Sequence, residues 1–275
     1  MSAPHVILTA GFNRARNVLA VAELLRRQDV RIEGLLVVSP YSLRRFRTFV
    51  RREGIGAVWD AVPRLFGWKD TATKNEEVPD PLLRLYEKHD IERQSLSSWA
   101  KSYDVPFQSV TSINDKEAVG AVEAADADWV IYGGGGILRE SFIDAAEGRI
   151  LNAHSGPLPE VRGMNACEWS LLLGYEPAVT IHLINHGIDT GGIISEYPVP
   201  VRDEDSVEHL RKRAVAVGVE ALYQTVLDPP EQLPEPRTDA ATHRQCFVLA
   251  PALRELLEKR LAQGTYGENV RASSK

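Results

Sequence analysis

An amide, an imidazole and a carboxylate stand in order along one stretch of this chain. Asn152 and His154 lie in Leu151-Asn152-Ala153-His154-Ser155-Gly156-Pro157-Leu158-Pro159, and Asp189 lies in Gly187-Ile188-Asp189-Thr190-Gly191-Gly192. Together they suit acyl transfer, which needs a donor for an oxyanion, a proton shuttle and an anion to steer that shuttle. Asn152 and His154 are two apart, so on a strand both side chains leave the same face.

Other groups nearby admit competing readings. His182, His186 and Asp189 are metal-ligand types, but the Val/Ile-rich pattern before them reads as a strand. Residues four apart on a strand are too far separated to chelate easily, so no metal site is expected. His182 is expected to point into the core or a crevice. Gly133-Gly134-Gly135-Gly136 follows an apolar run, and Gly11-Phe12-Asn13-Arg14 follows another. Neither fits the GxGxxG pattern that opens a dinucleotide-binding helix. A four-glycine run at the carboxyl end of a parallel strand nonetheless faces the ligand crevice. There its bare backbone lets N–H and C=O groups approach a flat heterocycle.

The elements that must carry these residues alternate along the chain. Residues 5–9 and 32–38 read as buried strands flanking a helix over 15–28 with Val18, Val21, Ala22 and Leu25 on one face, a parallel βαβ unit. Ser42 is placed to cap a second helix whose polar face carries Arg44, Arg45, Arg47, Arg51 and Arg52, a solvated face or an anion site. Residues 57–90 loosen around Pro63, Gly67, Pro79 and Pro81. With Trp59, Phe66 and Trp68 as anchors, they read as a partly helical insertion lying on the body and able to act as a lid. A helix over 95–101 and a strand over 106–110 follow. Asn114 and Glu117 form a capping box for a helix to Ala125. Strands are expected at 129–132, 149–154, 178–184 and 193–199, and helices at 166–173 and 206–227. Pro229, Pro230, Pro234 and Pro236 mark a linker to a C-terminal helix over 253–261, with a disordered tail at 272–275.

Composition limits the function classes. A chain of 275 residues with 44% hydrophobic and 25% charged residues can bury a sizeable core. Its net charge of −6 argues against affinity built mainly on phosphate backbones. Cys167 and Cys246, the two cysteines, make no CxxC pair and read as packing thiols in a reducing compartment. Residues 1–10 lack the basic region of a signal peptide and no window suits a bilayer span, so the cytoplasm is the expected location.

The ordered set Asn152-x-His154, a Leu-Pro turn, Arg162-Gly163, Thr180-x-His182, Asp189-x-Gly191 and Ile193-Ile194 resembles the 10-formyltetrahydrofolate-dependent formyltransferase family. That family includes methionyl-tRNA, glycinamide ribonucleotide and sugar N-formyltransferases. The resemblance is strongest over 128–201 and extends plausibly over 5–227. It implies a Rossmann-like α/β formyltransferase fold, a mostly parallel sheet with helices on both faces and a short C-terminal helical extension. Residues 1–227 would form the catalytic domain and 228–275 the Pro-rich linker and helix. The resemblance also implies Asn152, His154 and Asp189 as the catalytic set. Gly133, Gly134, Gly135, Gly136, Ile137, Leu138, Thr190 and Gly191 would hold the donor, 10-formyltetrahydrofolate. Gly11, Asn13, Arg14 and Arg162 would meet the acceptor, with Arg14 and Arg16 suited to a phosphate. Gly156 departs from the family, where Ser or Leu is common, and is expected to alter loop shape without touching the triad.

The acceptor is expected to be a primary amine of a small molecule, an amino sugar linked to a nucleotide ahead of an amino-acid-derived amine. The tRNA-modifying members add a basic C-terminal β-barrel. Here about 40 to 50 residues follow the last body helix, so no nucleic acid is expected. No membrane partner is expected either, and any self-association would be a homodimer. A 10-formyltetrahydrofolate hydrolase and a non-catalytic folate- or nucleotide-binding module are the competing functions. Such hydrolases usually carry an N-terminal regulatory domain, and with the first strand beginning at His5 none is expected here.

Overall fold

Val6, Leu8 and Ala10 leave one face of the first strand and Ile7 the other, and the two sets enter different cores. A strand buried on both faces belongs inside a layered sheet. The computed structural model describes residues 3–39, 80–203, 205–236 and 243–265. These form a seven-stranded sheet from β1 (His5–Ala10), β2 (Arg31–Val38), β3 (Phe107–Val110), β4 (Trp129–Gly133), β5 (Ile150–His154), β7 (Ala178–Leu183) and β8 (Ile193–Pro198). Its order is β3-β2-β1-β4-β5-β7-β8. The first five strands are parallel, and β7 and β8 run antiparallel at one edge.

Helices cover both faces, as the sequence predicts. One core takes side chains from α1 (Arg16–Arg26), α2 (Pro81–Lys88), α3 (Leu96–Ser102) and α7 (Val207–Leu227). The other takes Ala118 and Val122 of α4 (Lys116–Ala124) and Phe142 and Ile143 of α5 (Glu140–Ala145). The strand order reverses about β1, so the crevice between the carboxyl ends of β1 and β4 is the topological switch point. The Gly11 and Gly133–Gly136 turns meet there. A Cβ on Gly11 would lie 3.4 Å from the Gly135 nitrogen.

The described end of the 57–90 insertion is helical, as expected. Pro81 occupies the first turn of α2, where its missing N–H costs nothing, and Asp80 caps the helix through Leu82 N at 3.1 Å. Leu82, Leu85 and Tyr86 of that helix are core residues, and the Tyr86 hydroxyl donates to Arg16 O at 2.6 Å. One local expectation needs correction: the cap of α4 is Asp115, which accepts from Ala118 N, and not Asn114. Asn114 instead turns outward and ties down the glycine loop.

The C-terminal segment is woven into the body. β9 (Gln245–Cys246) pairs in parallel with β6 (Arg162–Gly163). Trp169 Nε1, on α6 (Ala166–Leu173), donates to Phe247 O at 2.8 Å. Leu257 and Leu261 of α8 (Pro251–Ala262) pack with Cys167, Leu171 and Leu210. The Ser42 helix with its arginines, the anchors Trp59, Phe66 and Trp68, residues 57–79 of the expected lid and the tail at 272–275 lie outside the described residues.

Candidate active site

The antiparallel pairing of β5 with β7 sets His182 opposite Asn152 and Thr180 opposite His154. Asn152 and His154 therefore share a face, and His182 joins them from the neighbouring strand. The Asn152 amide nitrogen donates to His182 Nε2 at 3.0 Å. That direction follows from the other ring nitrogen: His182 Nδ1 lies 2.8 Å from Leu183 O and must donate to it, leaving Nε2 as the acceptor. His182 is 1% exposed, and burial, followed by the nearby charge of His154, pulls its pKa down to about 4 against the opposing pull of Asp189. It is neutral at pH 7 and fixes the orientation of the amide. Only one of the two Asn152 N–H bonds is used this way.

His154 Nε2 donates to Val161 O at 2.8 Å, so its Nδ1 is the nitrogen open to proton exchange. That atom faces Asp189 Oδ2 at 3.6 Å, while Asp189 Oδ1 lies 3.7 Å from His182 Nε2. The carboxylate thus stands between two imidazoles whose rings meet edge to face, 6.2 Å apart. Asp189 holds this place from a left-handed backbone conformation, φ 50°, which Asp tolerates better than most residues.

Two neighbours anchor the turn. Gly163 N donates to Asp189 Oδ2 at 2.8 Å. Arg162, expected at the acceptor, is 6% exposed and donates to Ile188 O at 2.9 Å and His243 O at 2.7 Å. Two of its donors are held by main-chain carbonyls, so it braces the Ile188–Asp189 turn from inside.

Thr180, fully buried, accepts from Leu158 N and donates to Gly156 O, holding the loop after β5. Gly156 is closer to His154 than expected. A Cβ there would lie 2.7 Å from the Ala166 Cβ and 3.2 Å from both His154 Nε2 and Val161 O. Its lack of a side chain makes room for the hydrogen bond that orients His154.

The glycine run divides by role. A Cβ on Gly133 would run into Val18 and the Thr9 carbonyl, so this glycine is a packing requirement and not an open face. Gly134, Gly135 and Gly136 all have positive φ, at 116°, 134° and 105°, which a side chain would strain. The loop is pinned from below by the Tyr132 hydroxyl, which donates to Gly136 O at 2.7 Å. Burial pushes that phenol's pKa up, as does Asp189, keeping it a donor. From the side, Asn114 donates to Ile137 O and accepts from Arg139 N. Ile137 is 76% exposed, an apolar surface at the loop's tip.

Across the crevice, Thr190 spends its hydroxyl on Asn185, and Gly191 leaves space for the Leu183 carbonyl. Asn13 is tied to Ser97 through both amide atoms, so it braces α3. Arg14 is exposed and makes no hydrogen bond or ion pair to a described residue. Two cavities flank Asn152. One of about 200 Å³ lies between β4, β5, α1 and α7, bordered by Asn17, Val18, Gly134 and Val219. The other, of about 400 Å³, is bordered by His154, Ser155, Asn165, Glu168 and Arg211. Among the described residues no group of three or more His, Cys, Asp or Glu could hold a metal ion, and no helix is long and apolar enough to cross a membrane.

His182 is the residue of this cluster that composition and spacing underused. The signal was present in Thr180-x-His182, but only the β5–β7 register places it against Asn152.

Known proteins share this arrangement's framework. The methionyl-tRNA formyltransferase of Rhodopirellula baltica is 26% identical over 194 residues, covering 70% of this chain and 54% of that protein. That of Hydrogenovibrio crunogenus is 30% identical over 129 residues, covering 46% and 41%. The chain thus spans about half or less of the length of these relatives. Among solved structures, phosphoribosylglycinamide formyltransferase from Bacillus halodurans superposes with a TM-score of 0.53 at 19% identity, covering 81% of this chain and 93% of that one. A sugar N-formyltransferase from a Shewanella species gives 0.53 at 14% identity, covering 94% and 87%. These structures share the Rossmann-like fold. The sequence profile described as Formyl transferase matches residues 69–226, more than half of the chain, and on that match the chain belongs to the formyl transferase family.

Proposed function

We propose that this protein transfers a formyl group from 10-formyltetrahydrofolate to the neutral primary amine of a small molecule, an amino sugar linked to a nucleotide being the favoured acceptor. The observation that carries this reading is the Asn152–His182 hydrogen bond beside the His154–Asp189 pair, at the mouth of the glycine-loop crevice. The donor-side residues fit a folate. Gly134–Gly136 present no side chains that would hold a flat ring away from the loop, and Ile137 and Leu138 give such a ring an apolar neighbour.

The folate supplies the formyl carbon: the amine nitrogen bonds to it, its bond to N10 breaks, and the amine's proton ends on the departing nitrogen. Asn152 directs its second N–H at the formyl oxygen as negative charge develops there, a contribution of about 100- to 1,000-fold for such a donor. His154 moves the proton through Nδ1, the ring atom not engaged by Val161. Asp189, 3.6 Å from that nitrogen, pairs with the imidazole in its charged form. His182, neutral and buried, positions the Asn152 amide.

The experiment is mass spectrometry of an amine panel incubated with protein and donor, with tetrahydrofolate release followed in parallel. The panel includes amino sugar nucleotides, glycinamide ribonucleotide and aminoacyl-tRNA. Asn152→Ala, His154→Ala and Asp189→Ala should each lower turnover at least 100-fold while leaving folate affinity within a few-fold. Near wild-type turnover in His154→Ala would refute the assignment. Formate release without any amine would indicate the hydrolase, and folate binding without turnover a binding module.

A further inference from the structure

The larger cavity beside Asn152 has a wall that the chemistry above does not use. Glu168, in the first turn of α6, is 2% exposed yet borders that cavity. Arg211 reaches it from α7, donating from Nε to Oε1 at 2.7 Å and also from a terminal nitrogen to the same oxygen. Asn165 adds a third donor to Oε1 at 3.3 Å. All three therefore act on one carboxylate oxygen. Among the described residues Oε2 receives no donor, and the other terminal nitrogen of Arg211 has no acceptor.

Glu168 is buried, but the Arg211 side chain is 42% exposed, so the pair is open to the cavity on its arginine side. A half-exposed ion pair of this kind adds little to the joining of the two helices. A paired carboxylate and guanidinium on a cavity wall instead offer one acceptor and one donor with little net charge. An ammonium there would be repelled by Arg211, and a phosphate by Glu168. A hydroxyl, which donates and accepts at once, satisfies both. Ser155 and Asn165 line the same cavity and add further hydroxyl-compatible groups.

We propose that Glu168 and Arg211 are specificity-determining residues, forming a subsite that reads a ring hydroxyl next to the reacting amine of a sugar-type acceptor. This rests on the formyl-transfer reading and names the acceptor feature that the site selects. A site built around a substrate hydroxyl discriminates strongly against the analogue lacking it, because its own polar groups are then left unpaired.

The test uses the full chain, 10-formyltetrahydrofolate and two nucleotide-linked amino sugars that differ only in the hydroxyl adjacent to the amine. Wild-type protein should lose at least about tenfold in kcat/KM on the deoxy acceptor, chiefly through KM. Glu168→Gln should bring the ratio toward unity with donor KM unchanged. The double variant Glu168→Gln, Arg211→Gln avoids stranding a buried charge and should do the same. A purely structural ion pair would lower stability without moving the ratio. Equal use of both acceptors by wild type, or full discrimination in the double variant, overturns the subsite while leaving formyl transfer standing. Absence of tetrahydrofolate release with every amine removes the underlying reading, and the subsite with it.

Discussion

Protonating His182 should be expensive, and the cost can be read as a pH dependence of stability. The folded pKa is held down to about 4 by burial, against 6.5 for the unperturbed group. Between those values the unfolded chain binds the proton and the folded chain does not, so acid favours unfolding. The penalty is absent well above pH 6.5, grows by ~1.4 kcal/mol per pH unit below it, and levels off below about pH 4. It reaches ~1.4 kcal/mol at pH 5.5 and about 3 kcal/mol at pH 4. Glu23, held down to about 2 largely by its bonds to Arg26, Trp99 and Arg27 despite opposing burial, loses its contribution only as pH falls below 4.5. Glu23 is therefore silent from pH 6.5 to 4.5, and comparison with a His182 variant separates the histidine from groups such as Glu196, whose carboxyl pKa is pushed up by burial. Urea denaturation of wild type and His182→Gln at half-unit steps from pH 7.5 to 4.5 is the assay. The variant should lack ~1.4 kcal/mol of the wild-type loss by pH 5.5. Parallel stability curves would show that His182 does not carry the buried, neutral character that positions Asn152.

Neighbouring residues in the loop before α4 should separate fold from site. Asp115→Ala should cost ~1 kcal/mol in thermal or urea unfolding as a lost cap. Asn114→Ala, which frees the Ile137 and Arg139 backbone, should raise the donor KM several-fold with smaller effect on stability. Gly156→Ala should crowd His154 and lower kcat far more than folate affinity, as steady-state kinetics would reveal. Gly163→Ala places a side chain at φ 96° against the Cys246 carbonyl. It should lower the melting temperature by several degrees and depress turnover together, because the same residue holds Asp189.

Much of the sheet was legible because alternation and apolar runs are local. Residues 5–9, 32–38 and 129–132 declared themselves as strands, and the i, i+2 spacing of Asn152 and His154 sufficed to put them on one face. Contacts set by tertiary pairing were not legible. No local pattern says that β7 lies antiparallel to β5 with His182 opposite Asn152. Nor does one say that Arg162 turns inward to two carbonyls, one of them 81 residues away. Pro81 left the helix bounds in 57–90 open because proline ends helices but also begins them, and only the Asp80 cap decides which. Asn114 and Asp115 are equally good cap candidates by type. Gly133 matched its neighbours in sequence, yet Val18 packs where its side chain would be.

The short ladder of β6 with β9 makes catalytic competence a late event in the life of the chain. When synthesis has passed Leu227, all seven strands of the main sheet and the helices that cover it have been made. The turn carrying Ile188 and Asp189 still lacks the His243 end of its Arg162 brace and the strand that aligns Gly163. During synthesis that contact closes after the sheet's strands have emerged, because its second strand is made last. A chain cut at Leu227 should bury most of its core and remain a poor enzyme, so that turnover reports on completion of the polypeptide and not only on its collapse.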